Sequence, residues 1–389
     1  MNFNPIIHRF VVPTFDLRNF RFMKSLQYVI LLLLASSCSL TDNATKRNSE
    51  LDAFFAAQFP ADAPGGAILV MKNDSIIFAK GYGLADITTK EPITTKTLFN
   101  LGSISKTFVA NAILMLQEEG KLSVEDSIVK YFPDFRKPEF ATKVRIKHLL
   151  THTSGLPDNR QVDRDTTFYL TAKDAENWYP VTQAENMIFQ PGTRYEYSNP
   201  AYNALALIVE KVSGMRWQTY IEEKILKPSG MLTSTITDGE HPQSGVSHGY
   251  VLNGGKWTED DYGEEPTFAA AGNGGVWSSV EELAKYEQAL RDSVFLKAET
   301  IAVSRTIKTF NPWGGSRKPF IGWSWFVDKT SDGLTTVGHT GSQGGFLCNY
   351  VTVPGKNIFF VILCNTPADV PGYTDKIFSW LREQKWLDE

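Results

Sequence analysis

The sequence predicts an α/β protein of the α+β type. One antiparallel sheet is drawn from both ends of the chain, with flanking helices and a mostly helical insert between. Three patterns carry that expectation. Ala67–Met71 and Ile76–Ala79 are short apolar runs around Asn73-Asp74, a hairpin signal. Strand-like runs return late, at 321–327, 334–339, 345–353 and 357–364, with Pro354-Gly355 marking the last turn. Between these groups the apolar spacing is helical. Early and late strands that share one sheet bracket an insert of residues 103–310.

The elements follow in order. Residues 51–59 read as an amphipathic helix, with Leu51, Phe54, Phe55 and Phe59 at helical spacing and Pro60 as its stop. A helix over 103–119 buries Ile104, Phe108, Ile113 and Leu116, and Gly120 ends it. Residues 182–189 and 200–213 read as helices. Ser279-Val280-Glu281-Glu282 reads as a capping box before a helix to Leu290. Residues 373–384 form a closing helix. Cys348 and Cys364 sit in strand-like runs and read as two buried thiols, with a disulfide as the alternative.

The 389 residues are 42% hydrophobic and 21% charged, with a formal charge of −4. That composition suits one large domain, here residues 51–385, and gives no basic footprint for nucleic acid. Met23-Lys24, the run Val29–Leu34 and Ala35-Ser36-Ser37-Cys38 form a positive residue, a short apolar stretch and a small-residue site. The stretch resembles a bacterial lipoprotein signal. That resemblance implies a signal region over 1–37, translation starting at Met23 so that 1–22 is not made, lipidation of Cys38, and a tether over 38–50. It places the protein at the bacterial cell envelope, on a periplasmic or extracellular face, held to a membrane by lipid. Cleavage before Cys38 takes away four basic residues and one acidic one and moves the formal charge from −4 to −7. A simple secreted protein and an uncleaved anchor are the alternatives.

Ser103-Ile104-Ser105-Lys106 puts a hydroxyl and an amine one helical turn apart. That pairing allows serine nucleophilic catalysis without histidine, provided burial or a nearby cation lowers the amine's pKa. The amide of Ser103, at a helix start, is free to hold an oxyanion. The plain alternatives are a helix cap and a solvated lysine. Tyr197-Ser198-Asn199 lies between Pro191-Gly192 and Pro200, so a phenol and an amide are held on a loop. The alternatives are a packed tyrosine and a capping asparagine. His339-Thr340-Gly341-Ser342 follows a strand and precedes Gly344-Gly345, where an extended substrate can approach the backbone and the Ser342 amide can face that of Ser103. A polar rim residue and a bulge are the alternatives there. His148 and His152, four apart, lack the glutamate of a metal-binding helix, and no metal site is assigned to them.

Together these three segments, with Gly102, His152-Thr153-Ser154-Gly155-Leu156, Pro191-Gly192 and Gly344-Gly345-Phe346 around them, resemble the serine β-lactamase and penicillin-binding protein family. The nearest branch is the class C β-lactamase-like one, which also holds D-alanyl-D-alanine carboxypeptidases, D-amino peptidases and esterases. The resemblance implies a β-lactamase/transpeptidase-like fold and an acyl-enzyme on Ser103. Lys106 and Tyr197 share the proton work, the amides of Ser103 and Ser342 form the oxyanion hole, and Asn199, His339, Thr340 and Gly341 bind substrate. It implies no cofactor and no metal. The expected partner is a small-molecule or peptide substrate; oligomeric state is left open. Class C β-lactamases carry lysine where this chain has His339, and Gln343 departs again. The expected activity is therefore cleavage of a peptide, amide or ester, including D-amino-acid-containing ones. A class C-type β-lactamase and a catalytically silent binding protein on the same scaffold are the alternatives.

Overall fold

The computed structural model describes residues 48–160, 171–236, 245–260 and 270–388. The signal region, Cys38 and most of the expected tether lie outside the described residues. The chain divides into two units, 1–51 and 52–389. Of the first, only residues 48–51 are described, and they are helical. The second unit holds the sheet, the insert and the closing helix.

Six antiparallel strands form the main sheet. They are β1 (Gly66–Lys72), β2 (Ser75–Tyr82), β3 (Phe326–Lys329), β4 (Thr335–Gln343), β5 (Phe346–Val353) and β6 (Ile358–Cys364), in the spatial order β3-β4-β5-β6-β1-β2. Strands from the two ends of the chain meet at the centre, where Gly66 pairs with Cys364 and Lys72 with Ile358. Both central strands are buried along their whole length, which is why each reads as an unbroken apolar run. Their side chains alternate between two cores. Ala67, Leu69, Met71, Phe359, Val361 and Leu363 join the large core shared with the insert. Phe360 and Phe78 face the closing helix, with ring contacts to Phe378 and Trp380. Phe55 and Phe59 complete that layer against Tyr82 and Tyr373.

Four helices matter for the site: α1 (Ser105–Glu118), α2 (Asn199–Ser213), α3 (Val280–Arg291) and α4 (Val370–Glu383). Helix α1 is buried on every side from Ser105 to Leu116, so it is a core helix of the second unit and not an amphipathic surface helix. It follows a 3-10 turn, Gly102–Ile104. The serine-cap reading is corrected here: α1 has no side-chain cap, and Ser105 Oγ accepts from the Val276 amide at 3.1 Å. The capping box at α3 is only half formed. Ser279 accepts from the Glu282 amide, while the Glu282 carboxylate turns away to the Thr233 and Ser234 amides.

Three other expectations change. The helix expected over 182–189 lies instead at Asp174–Thr182, with Pro180 inside it. The strand expected over 321–327 is β3, starting only at Phe326. Strand β4 does not stop at His339; it runs on to Gln343, so the His-Thr-Gly-Ser segment is strand and not a following loop. Cys348 and Cys364 are buried free thiols.

Candidate active site

The segment Phe99–Ile104 is clamped from two sides. Leu101 donates its amide to the Val276 carbonyl at 2.9 Å, and the Gly102 amide reaches Asn100 Oδ1 at 2.8 Å. On the other side β4 comes so close that a Cβ on Gly341 would lie 2.0 Å from the Leu101 carbonyl oxygen. Gly102 has φ +49°, and a Cβ there would meet the Ser342 amide nitrogen at 2.8 Å. Two glycines therefore let the backbone at Gly341 and Ser342 lie against the backbone at Leu101 and Gly102, directly before Ser103.

Lys106 is wholly buried. Its Nζ lies 2.9 Å from Ser103 Oγ and donates to the Asn273 carbonyl at 2.6 Å. It also sits 5.2 Å from the centre of the Tyr197 ring and 5.7 Å from that of Tyr202. Burial, and after it the Arg160 charge, holds its pKa well below the ordinary lysine value. A neutral amine at this position carries a lone pair beside the serine hydroxyl.

Tyr197 is 38% exposed and fronts the cleft, while its ring stacks on His152 at 4.3 Å. His152 is fully buried with φ +54°, and the chain 196–198 is tied to it twice. The Glu196 amide donates to the His152 carbonyl at 2.9 Å, and the Ser198 amide to His152 Nδ1 at 3.0 Å. Accepting at Nδ1 leaves the proton of the neutral ring on Nε2. Burial and the nearby Lys106 keep the ring neutral. Ser198 caps α2, and Asn199 is its first residue, half-buried. Lys106 is met by the Asn273 carbonyl, a partner the sequence did not signal, because a backbone carbonyl has no residue-type signature.

On β4 the side chains alternate: His339 and Gly341 are buried, Thr340 and Ser342 exposed. His339 thus points inward and lies under the Phe326 ring. Its Nδ1–H donates to the Thr340 carbonyl at 2.6 Å. Burial, reinforced by Lys106, lowers its pKa to about 3, so it is uncharged at neutral pH. The cleft in front measures about 730 Å³ and is lined by Ser103, Tyr197, Phe326, Thr340, Ser342 and Leu347, among others. It continues to Asn349, Val370, Thr374 and Asp375 at the start of α4. Serine, lysine, tyrosine and the β4 segment therefore meet at one cleft, with Asn199 at the α2 end of the tyrosine loop.

The Beta-lactamase family model matches residues 53–381. The chain belongs to the Beta-lactamase family. A penicillin-binding protein of Bacillus subtilis (strain 168) is 29% identical over 318 residues, 78% of this chain and 68% of that one. Protein flp of Staphylococcus aureus (strain MW2) is 31% identical over 201 residues, and the match spans only 38% of its length. Among solved structures, an octameric penicillin-binding protein homologue from Pyrococcus abyssi has a TM-score of 0.71 at 30% identity, over 82% of this chain and 73% of that one. A D-amino acid amidase from Ochrobactrum anthropi SV3 also superposes at 0.71, over 88% and 99% of the two chains; at 19% identity that likeness is one of fold. The Beta-lactamase family is one of serine hydrolases, and the mixed sheet-and-helix architecture is its fold.

Proposed function

We propose that this protein is a serine hydrolase that works through an acyl-enzyme on Ser103 and cleaves peptides, amides or esters, D-amino-acid-containing ones among them. The observation that carries this is the buried Lys106 amine, 2.9 Å from Ser103 Oγ and depressed in pKa. The lone pair of Lys106 takes the Ser103 proton as Oγ bonds to the substrate carbonyl carbon. Negative charge then develops on the carbonyl oxygen, between the amides of Ser103 and Ser342. Collapse expels the leaving group, which takes a proton from the Tyr197 phenol; the Lys106 ammonium restores that proton. Water then attacks the ester on Ser103 and frees the acid. Thr340 and Gly341 line the cleft where the substrate backbone would lie; Asn199 and the buried His339, expected from sequence to bind substrate, are not among its lining residues.

A class C-type β-lactamase is the second reading. Two observations disfavour it. His339 is neutral and buried where that class has a lysine. Among the described residues lining the cleft, Asp375 is the one with a formal charge, so none of those residues offers a substrate carboxylate a fixed cation. A catalytically silent binding protein is the third, and the intact Ser103–Lys106 pair argues against it. The pattern of residues 23–38 supports a lipid-anchored envelope location through Cys38.

The test is a hydrolysis panel of short-chain p-nitrophenyl esters, D-amino acid amides, D-alanyl-D-alanine peptides and nitrocefin, with Ser103→Ala as control. Turnover of esters or D-amides that vanishes in the folded S103A protein is expected, with nitrocefin the poorest substrate. Wild-type protein that is folded yet neither labelled at Ser103 by a fluorophosphonate nor active on any member would overturn the reading. For location, labelled palmitate should enter the expressed protein and be absent from Cys38→Ser.

A further inference from the structure

Among the described residues, acylation and deacylation through Ser103, Lys106 and Tyr197 leave three buried carboxylates unused, and of these Asp174 alone has no ion-pair partner, Glu287 being held by arginines and Glu282 by Lys285. Asp174 opens the helix Asp174–Thr182 and is 6% exposed. Among the described residues its hydrogen-bond partners are three neutral donors. Oδ1 accepts from the Gly272 amide and from Asn203 Nδ2, each at 2.8 Å, and Oδ2 accepts from Trp217 Nε1 at 2.7 Å. A buried carboxylate satisfied only by neutral groups is costly to keep ionised.

Two of those three bonds lead to the catalytic amine. Gly272 directly precedes Asn273, whose carbonyl receives Lys106. Asn203 Nδ2, while bonded to Asp174, also donates to Asn273 Oδ1 at 3.0 Å. The turn itself has little freedom. A Cβ on Gly272 would lie 2.5 Å from Ala206 Cβ and 2.6 Å from the Tyr202 carbonyl oxygen, so the turn sits directly on α2. The Gly274 amide closes it onto the Ala271 carbonyl at 2.9 Å.

We infer that Asp174 is a positioning residue for Lys106, fixing the 270–275 turn so that the Asn273 carbonyl holds one amine hydrogen and aims the amine lone pair at Ser103. This rests on Lys106 acting as the base. A neutral amine has two hydrogens and one lone pair and rotates about its last carbon–nitrogen bond. The Ser103 hydroxyl can donate its proton only when the lone pair faces it; a carbonyl fixed at 2.6 Å excludes the rotamer that turns the lone pair onto the carbonyl, and the hydroxyl's own hydrogen bond picks between the two that remain. The network is complete only with Asp174 ionised, because all three partners are donors and a carboxyl proton would meet no acceptor among them.

The surroundings agree with a group that titrates in the working range. Burial raises Asp174 to about 7, against the pull of Gly272, Asn203 and Trp217, and the Glu210 charge from α2 adds to the rise. Lys173 on its own element and Arg216 beside Trp217 line the adjoining cavity of about 360 Å³ with Glu210. Protonation of Asp174 loosens the turn, so acylation weakens as pH falls through that value.

The experiment measures the rate of Ser103 acylation by p-nitrophenyl acetate from pH 5 to 10 in wild type, Asp174→Asn and Asn203→Ala, with thermal melts alongside. Expected are a fall of about 10- to 100-fold in acylation rate at pH 8 for D174N, KM within about twofold, and a smaller fall for N203A. The step near pH 7 in the wild-type profile should be missing in D174N, which a merely structural role would not produce. Wild-type rates and an unchanged profile in both variants would overturn the inference. A crystal structure of D174N is the activity-independent arm. A retained Asn273–Lys106 contact would overturn the inference, and a displaced carbonyl supports it even if wild-type Ser103 proves inert and the hydrolase reading falls.

Discussion

Lys106 shows how far environment decides what a residue type can do. Replacing it with arginine puts a group that stays protonated where a neutral amine is needed, so Lys106→Arg should lower the acylation rate by about a thousandfold or more. Tyr197→Phe should cost about 100- to 1000-fold in kcat with KM little changed, since only the proton shuttle is lost. His152 is the residue beneath that phenol. An asparagine there tolerates the left-handed backbone and can still accept from the Ser198 amide, but removes the stacked ring. His152→Asn should therefore reduce kcat by about tenfold, measured on an activated ester, and melt near wild type. Ser103, Lys106, Tyr197 and His339 were legible from sequence because their side chains have chemistry and stand at telling spacings. Asp174, Asn203 and Asn273 were not. Their part is played through backbone geometry and a bridge spanning a hundred residues of chain, and no local pattern encodes that.

Strand β4 illustrates what glycine conceals. Gly338, Gly341 and the polar residues between them read as the end of a strand, yet the structure needs glycine at both: Gly341 so that β4 can press on Leu101, and Gly338 because the Tyr350 carbonyl of β5 occupies the space of its Cβ. Gly341→Ala would force its new carbon into the Leu101 carbonyl. A loss of about 1–3 kcal/mol in stability and a disproportionate loss of Ser103 labelling are expected, read from denaturant melts and a fluorophosphonate assay. The misplaced helix at 182–189 has a different cause: the helix lies one element earlier and carries Pro180 in its last turn, where sequence reasoning takes proline as a stop. On the insert face of the sheet, Glu287 of α3 is buried between Arg305 and Arg291 and accepts from Tyr350. Removing one partner of such a cluster strands the others. Glu287→Ala should destabilise the protein by about 3–5 kcal/mol without changing the pH dependence of acylation.

At the scale of the whole molecule the fold class was legible because the long strand patterns stood at the two ends of the sequence; the hairpin Tyr250–Asn253 with Lys256–Glu259 inside the insert went unread, and the small sheet pairing Phe99–Asn100 and Thr235–Ile236 with Val276–Ser278 was too short to leave a pattern. Stability should depend on pH through Glu287. Burial opposes its charge, but the two arginines prevail and hold its pKa below the ordinary 4.5. A depressed carboxylate pKa stabilises the fold above the unfolded value and loses that contribution as pH falls through the folded one, so acid melts should steepen below pH 4.5 and flatten in Glu287→Gln. The closure of β1 onto β6 has a consequence for biogenesis. The first hairpin is made almost 300 residues before the strand that lies beside it. At about 5–20 residues per second, that leaves an unsatisfied apolar ribbon waiting for roughly 15–60 s on a growing polypeptide. Such a ribbon is an adhesive surface until its neighbour is delivered. A cell that makes this protein must shield nascent chains for that interval, and a premature stop before residue 358 should give insoluble product instead of a smaller active enzyme.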